Sequence, residues 1–134
     1  MATEKVWLVT GASRGIGLAV AQRAIAAGDR VALLARGDAV KDAAAELGER
    51  ALALQADIAD RDSVQAAVAQ LVEQFGGLDI VVNNAGLHRG GRLGRLPMED
   101  WQAVLDTNLT GSMNVITAAS EHLGDDSAIV NVGA

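Results

Sequence analysis

Five short apolar runs punctuate the chain, and longer segments of helical period separate them. The runs are KVWLVT (5–10), RVALLA (30–35), ALALQA (51–56), LDIVVN (78–83) and SAIVNV (127–132), each near the length of a buried strand. Between them, Ile16, Ala19, Val20, Arg23, Ala24 and Ala27 recur at helical spacing, as do Val64, Ala67, Val68, Leu71, Val72 and Phe75. Residues 39–47 make a shorter helix. A fourth and longest helix is expected from near Pro97, a residue suited to a first helical turn, to about residue 123. It carries Trp101, Val104, Leu105, Asn108, Leu109, Ser112, Val115, Ile116, Ala119 and Leu123 on one side. Strand and helix alternating in this way mean parallel strands joined by right-handed crossovers, with helices on both faces. The expected fold class is α/β, a doubly wound parallel sheet of five strands and about four helices, in one domain over residues 1–134.

The long irregular stretch NNAGLHRGGRLGRL (83–96), rich in glycine and arginine, reads as a loop at the carboxyl end of the fourth strand. Ligands of such sheets bind at that edge.

Composition narrows the partners. Half of the residues are apolar but only 2% are aromatic, so the core must be built from Ala, Val, Leu and Ile. A net charge of −6 repels phosphate backbones and anionic lipid, which argues against nucleic acid and membrane surfaces as partners. There is no cysteine, and MATEKVWLVT sets charged residues before a short strand-like run where a secretion signal would have a long apolar stretch. The expectation is a soluble cytoplasmic protein. His88 and His122 are the only histidines, too few for a zinc site.

TGASRGIG lies between the first strand and the first helix, and its glycines have distinct physical tasks. Gly11, Gly15 and Gly17 permit a tight turn, a close backbone approach to a pyrophosphate, and close helix packing. The helix start behind them offers free N–H groups and a partial positive charge. Taken alone, the triplet is a weak signal and also allows a glycine-rich turn without a ligand.

It is not alone. With ADI (56–58) after strand three, NNAG (83–86) after strand four and DTNLTG around Asn108, the chain resembles the short-chain dehydrogenase/reductase family, in particular its 3-oxoacyl-acyl carrier protein reductase-like members. The resemblance implies a Rossmann-like fold and a dinucleotide bound by Gly11, Ser13, Arg14, Gly15, Ile16 and Gly17. It implies further that Asp57 accepts a hydrogen bond from the adenine amino group, that Ile58 lines the ring, and that Asn83, Ala85 and Gly86 border the adenine ribose and steady the central strands. On the residues alone, ADI and NNAG are also ordinary turns.

The end of strand two bears on which cofactor is bound. An acidic residue there binds a ribose 2′-hydroxyl, whereas Arg suits a 2′-phosphate. Ala35 is followed by Arg36, Asp38 comes two residues later, and Arg14 adds a second positive charge. The pair points to NADP(H) in preference to NAD(H), against a reading in which both arginines are merely solvated.

The family's reaction relies on a Tyr that donates a proton, a Lys four residues later, a Ser that holds the substrate oxygen and an Asn that anchors a proton-relay water. This chain has no tyrosine, its lysines are Lys5 and Lys41, and the Ser position falls on Ala134. Only Asn108 matches a catalytic role. His88 could in principle supply a proton but reads better as an exposed loop residue; His122 suits a helix end, and Asp106 and Glu121 read as surface charges.

The leading reading is an NADP(H)-dependent reductase acting on a small-molecule carbonyl, of which the chain displays the cofactor half and by itself is inactive. The alternatives are a non-catalytic dinucleotide-binding module and a truncated structural fragment, since SAIVNVGA looks like an interruption. By the resemblance, the long helix packs on a partner subunit, so a homo-oligomer, dimer or tetramer, is expected.

Overall fold

The computed structural model describes residues 4–92 and 94–133. Strands β1 (Val6–Thr10), β2 (Arg30–Ala35), β3 (Ala51–Gln55), β4 (Ile80–Asn83) and β5 (Ala128–Asn131) form one sheet in the order β3-β2-β1-β4-β5. Every pairing is parallel. Helices α1 (Gly15–Ala26), α2 (Ala39–Leu47) and α3 (Arg61–Phe75) connect the first four strands. The expected α/β doubly wound architecture is therefore observed, and each expected strand lies within its apolar run.

Because successive strand residues face opposite sides, each inner strand feeds two cores. Leu8, Ala32, Leu34 and Val81 pack with α3 on one face, and Val9, Val31, Leu33 and Val82 pack with α1 and α2 on the other. This double burial explains why the strands read as unbroken apolar runs. β5 has one neighbour and is exposed along its length.

The fourth helical segment corrects the sequence reading. Helix α4 (Met98–Leu105) passes through a π turn (Asp106–Thr110) into α5 (Gly111–Ser120), so the rod ends at Ser120 and not near residue 123. A π turn inserts one extra residue, which rotates everything after it by about 100°. The side that faces the sheet is accordingly Gly111, Asn114, Val115, Ala118 and Ala119. Leu109 and Trp101, which simple spacing sets on one side with Val115 and Ala119, are 67% and 49% exposed, whereas Val115 and Ala119 are buried. No helix of the described residues is long and apolar enough to cross a membrane.

Candidate functional site

The strand order reverses between β1 and β4, whose carboxyl ends open into a cleft of about 490 Å³. One wall is the β1–α1 turn. Gly11 and Gly15 adopt φ of 61° and 60°, a region costly for any residue with a Cβ. A Cβ on Gly11 would sit 2.8 Å from the Ala85 Cα, and one on Gly17 would sit 2.7 Å from the Asn84 Nδ2 and closer still to the Gly11 carbonyl. Both glycines therefore keep the two turns in contact. Ser13, Arg14 and Gly15 line the cleft, Gly17 is buried beneath it, and Ile16 is turned outward at 63% exposure.

The starts of two helices differ in what their own side chains supply. Asp60 caps α3, its Oδ1 accepting from the N–H groups of Asp62 (3.1 Å) and Ser63 (3.4 Å). α1 has no side-chain cap and no acidic residue in its first turn. The N–H groups at its start are thus left for another acceptor at the edge of the cleft.

The turn after β4 is tied to the glycine turn by residues that the sequence reading passed over. Thr10, 1% exposed, accepts at Oγ1 from the Asn84 N–H (3.0 Å) and the Ala85 N–H (2.9 Å), and donates to the Val82 carbonyl (3.4 Å). Asn84 Nδ2 donates to the carbonyls of Thr10 and Gly11, both at 3.3 Å. The signal available was a threonine ending a buried strand beside the first glycine. Ala85 and Gly86 reach the cleft, whereas the buried Asn83 side chain lies off it and donates to Asn131 Oδ1 on β5 at 3.1 Å.

The opposite wall comes from β2 and β3. Leu34, Ala35, Arg36 and Gly37 line it beside Ala56, Asp57 and Ile58, the Ala56 N–H donating to the Ala35 carbonyl at 3.1 Å. Asp57 Oδ1 accepts from the Ala59 N–H at 3.0 Å, and the turn engages that oxygen only. Ile58 is anchored to α5: its carbonyl accepts from Asn114 Nδ2 at 2.8 Å, and Gly111 packs so closely that a Cβ there would lie 2.7 Å from the Ile58 Cγ1. Asn114 was another residue missed, because a polar side chain in an apolar stripe breaks the pattern. The exposed Arg14 and Arg36 lie on separate loops at the lip.

Thr107, in the π turn, completes the lining, while Asn108 stands behind it. The Asn108 amide bonds both backbone groups of Leu87: Oδ1 accepts from its N–H (2.7 Å) and Nδ2 donates to its carbonyl (3.0 Å). The Asn108 carbonyl accepts from Ser112 Oγ at 2.9 Å.

His88 is exposed on the loop beyond, and His122 pairs with Glu121 at 3.4 Å, away from the cleft. Asp106 accepts from Gln102 Nε2 at 2.8 Å. Neither Lys5 nor Lys41 lines the cleft, and Ala134 lies outside the described residues. Among the described residues, no group of three or more His, Cys, Asp or Glu side chains is arranged to hold a metal ion.

The family model for short chain dehydrogenase matches residues 5–134. The chain is 41% identical over 128 residues to the 3-oxoacyl-[acyl-carrier-protein] reductase of Staphylococcus aureus, covering 92% of this chain and 52% of the relative. With the corresponding Synechocystis reductase it shares 43% identity over 124 residues, or 89% of this chain and 50% of the relative. The chain thus spans about half the length of the curated relatives it matches. Among solved structures, a short chain dehydrogenase from Burkholderia cenocepacia in complex with NADP superposes with a TM-score of 0.91 at 43% identity, covering 97% of this chain and 55% of the other. A 3-ketoacyl-(acyl-carrier-protein) reductase from Brucella melitensis complexed with NADH gives 0.94 at 32% identity, covering 99% and 58%. The family match, running from the first strand through the last, and the shared sheet with its glycine turn agree: this chain belongs to the short chain dehydrogenase family.

Proposed function

We propose that the chain is the dinucleotide-binding unit of an oxidoreductase that uses NADP(H) in preference to NAD(H). The observation that carries this is the uncapped start of α1, opening beside a turn whose glycines leave no room for a Cβ, with Arg14 and Arg36 at the lip. That donor set suits a ligand with several phosphates. The N–H groups from Gly15 to Gly17 receive the pyrophosphate, and the two arginines a 2′-phosphate. Asp57 accepts from the adenine amino group through the oxygen its turn leaves over, Ile58 lines the ring, and Ala85 and Gly86 border the ribose. Asn83 steadies β4 against β5. When bound, the nicotinamide would supply hydride exchange with a carbonyl or alcohol.

Asn108 acts as a positioning residue, fixing the Leu87 backbone at the lip of the cleft. The names of the related reductases suggest a 3-oxoacyl thioester as the carbonyl substrate. A specific observation favours binding without turnover by these 134 residues alone: they contain no tyrosine, and neither lysine lines the cleft.

The test is a fluorescence titration with NADPH and NADH. A hydrogen bond to a charged group contributes about 1.5 to 3 kcal/mol, so NADPH should bind roughly ten- to a hundredfold more tightly, and Ala35→Asp should narrow or reverse that preference. Equal or tighter binding of NADH overturns the reading.

A further inference from the structure

The corner between β2 and α2 holds a cation and an anion two residues apart, and only the cation lines the cleft. Asp38 stands at the start of α2, yet its carboxylate caps none of the backbone N–H groups of its own helix. An aspartate at that position ordinarily accepts from those N–H groups. Here Oδ1 instead accepts from Gln55 Nε2 at 3.0 Å and faces Lys41 Nζ at 3.9 Å. The same Gln55 amide donates to the Arg36 carbonyl at 3.1 Å. Gln55 is the last residue of β3, paired with Ala35 in the parallel register, so the sheet sets its place independently of the corner it bonds.

We propose that Gln55 is a specificity-determining positioning residue: it holds the Asp38 carboxylate on the α2 side of the corner and leaves the Arg36 charge to the cleft, an inference that rests on the NADP(H) reading above. A carboxylate free to enter this corner acts against NADPH in three ways. It repels a 2′-phosphate, it accepts from a ribose 2′-hydroxyl, and it neutralises Arg36. Gln55 itself does not line the cleft, so its effect passes through Asp38.

The test is a double-mutant cycle on Gln55→Met and Asp38→Asn, measuring the dissociation constants of NADPH and NADH for the parent, both single variants and the double variant. Gln55→Met keeps the length of the side chain and removes its donor. With Asp38 in place it should lower the NADPH-to-NADH preference by about three- to tenfold, the worth of a charge-assisted hydrogen bond discounted for exposure. In the Asp38→Asn background the same change should shift the preference by less than about twofold. Gln55→Glu, which keeps the shape but repels Asp38, should lower the preference further and serves as the second probe if the methionine variant fails to fold. No loss, or an equal loss in both backgrounds, overturns the role given to Gln55. A parent protein that does not prefer NADPH overturns the cofactor reading itself, so the two failures are distinguishable.

Discussion

Thr10 joins the two turns through one hydroxyl. Replacing it with valine keeps the shape of the side chain and a β-branched residue in β1, but leaves the N–H groups of Asn84 and Ala85 without their acceptor. Unmade hydrogen bonds at buried groups cost about 1 to 3 kcal/mol each; because these sites are part-buried, Thr10→Val should lose about 2 kcal/mol in total. Urea denaturation would show it as a lower midpoint at unchanged slope. NADPH affinity should fall as well, since the same bonds align the Ala85–Gly86 backbone with the glycine turn. A variant as stable as the parent would mean that the two turns hold together without the hydroxyl. The local sequence places this threonine at the end of a buried strand beside Gly11, but it does not say which groups the hydroxyl meets. Its role depends on a partner segment 74 and 75 positions away.

Among the elements, α1 and α3 have opposite starts, one open and one closed by its own side chain. Asp60→Ala should destabilise the protein by about 1 kcal/mol, the usual worth of such a cap. The cap lies outside the residues lining the cleft, so NADPH binding should be unchanged. Thermal melts paired with a titration separate the two effects, and a drop in affinity comparable to the stability loss would place α3 in the binding machinery. The π turn was not legible because helical spacing was extended through it as if the rod were regular. Asp, Thr and Asn in DTNLT have low helix preference, which permits the irregularity. The two hydrogen bonds between the Asn108 side-chain amide and the Leu87 backbone, a contact across the fold, accompany it.

Over the whole molecule, the α4–α5 rod exposes Met98 (75%), Trp101 (49%), Leu109 (67%) and Met113 (61%). We propose that this surface is covered by a second copy of the chain, consistent with the size of the apolar side chains left in water. Sedimentation at micromolar concentration should give a dimer or larger species, and Leu109→Glu with Met113→Glu should shift it toward monomer. A stable, soluble parent monomer would contradict this. A second expectation at this scale concerns chemistry: the 134-residue chain should show no NADPH-dependent ketone reduction above background. A positioned general acid commonly contributes about 10² to 10⁴ in rate, and no tyrosine is present to serve as one. Robust turnover by protein of verified mass would refute that, and its loss in His88→Ala would identify the substitute acid.

Local periodicity was enough to specify the alternation of strand and helix, the parallel sheet with two covered faces, and the glycine turn at its carboxyl edge. Those features lie in short-range spacing and in residues whose backbone freedom is intrinsic, so neighbours in the chain suffice to reveal them. Three features emerged only once the chain was folded: which side of the last rod faces the sheet, how Thr10 and Asn84 lock two distant turns, and where Asn83 and Asp38 turn their side chains. Each of these depends on a partner from another strand, helix or loop. Amphipathic spacing reports that a residue is turned inward; it carries no record of which distant group will satisfy a buried polar atom.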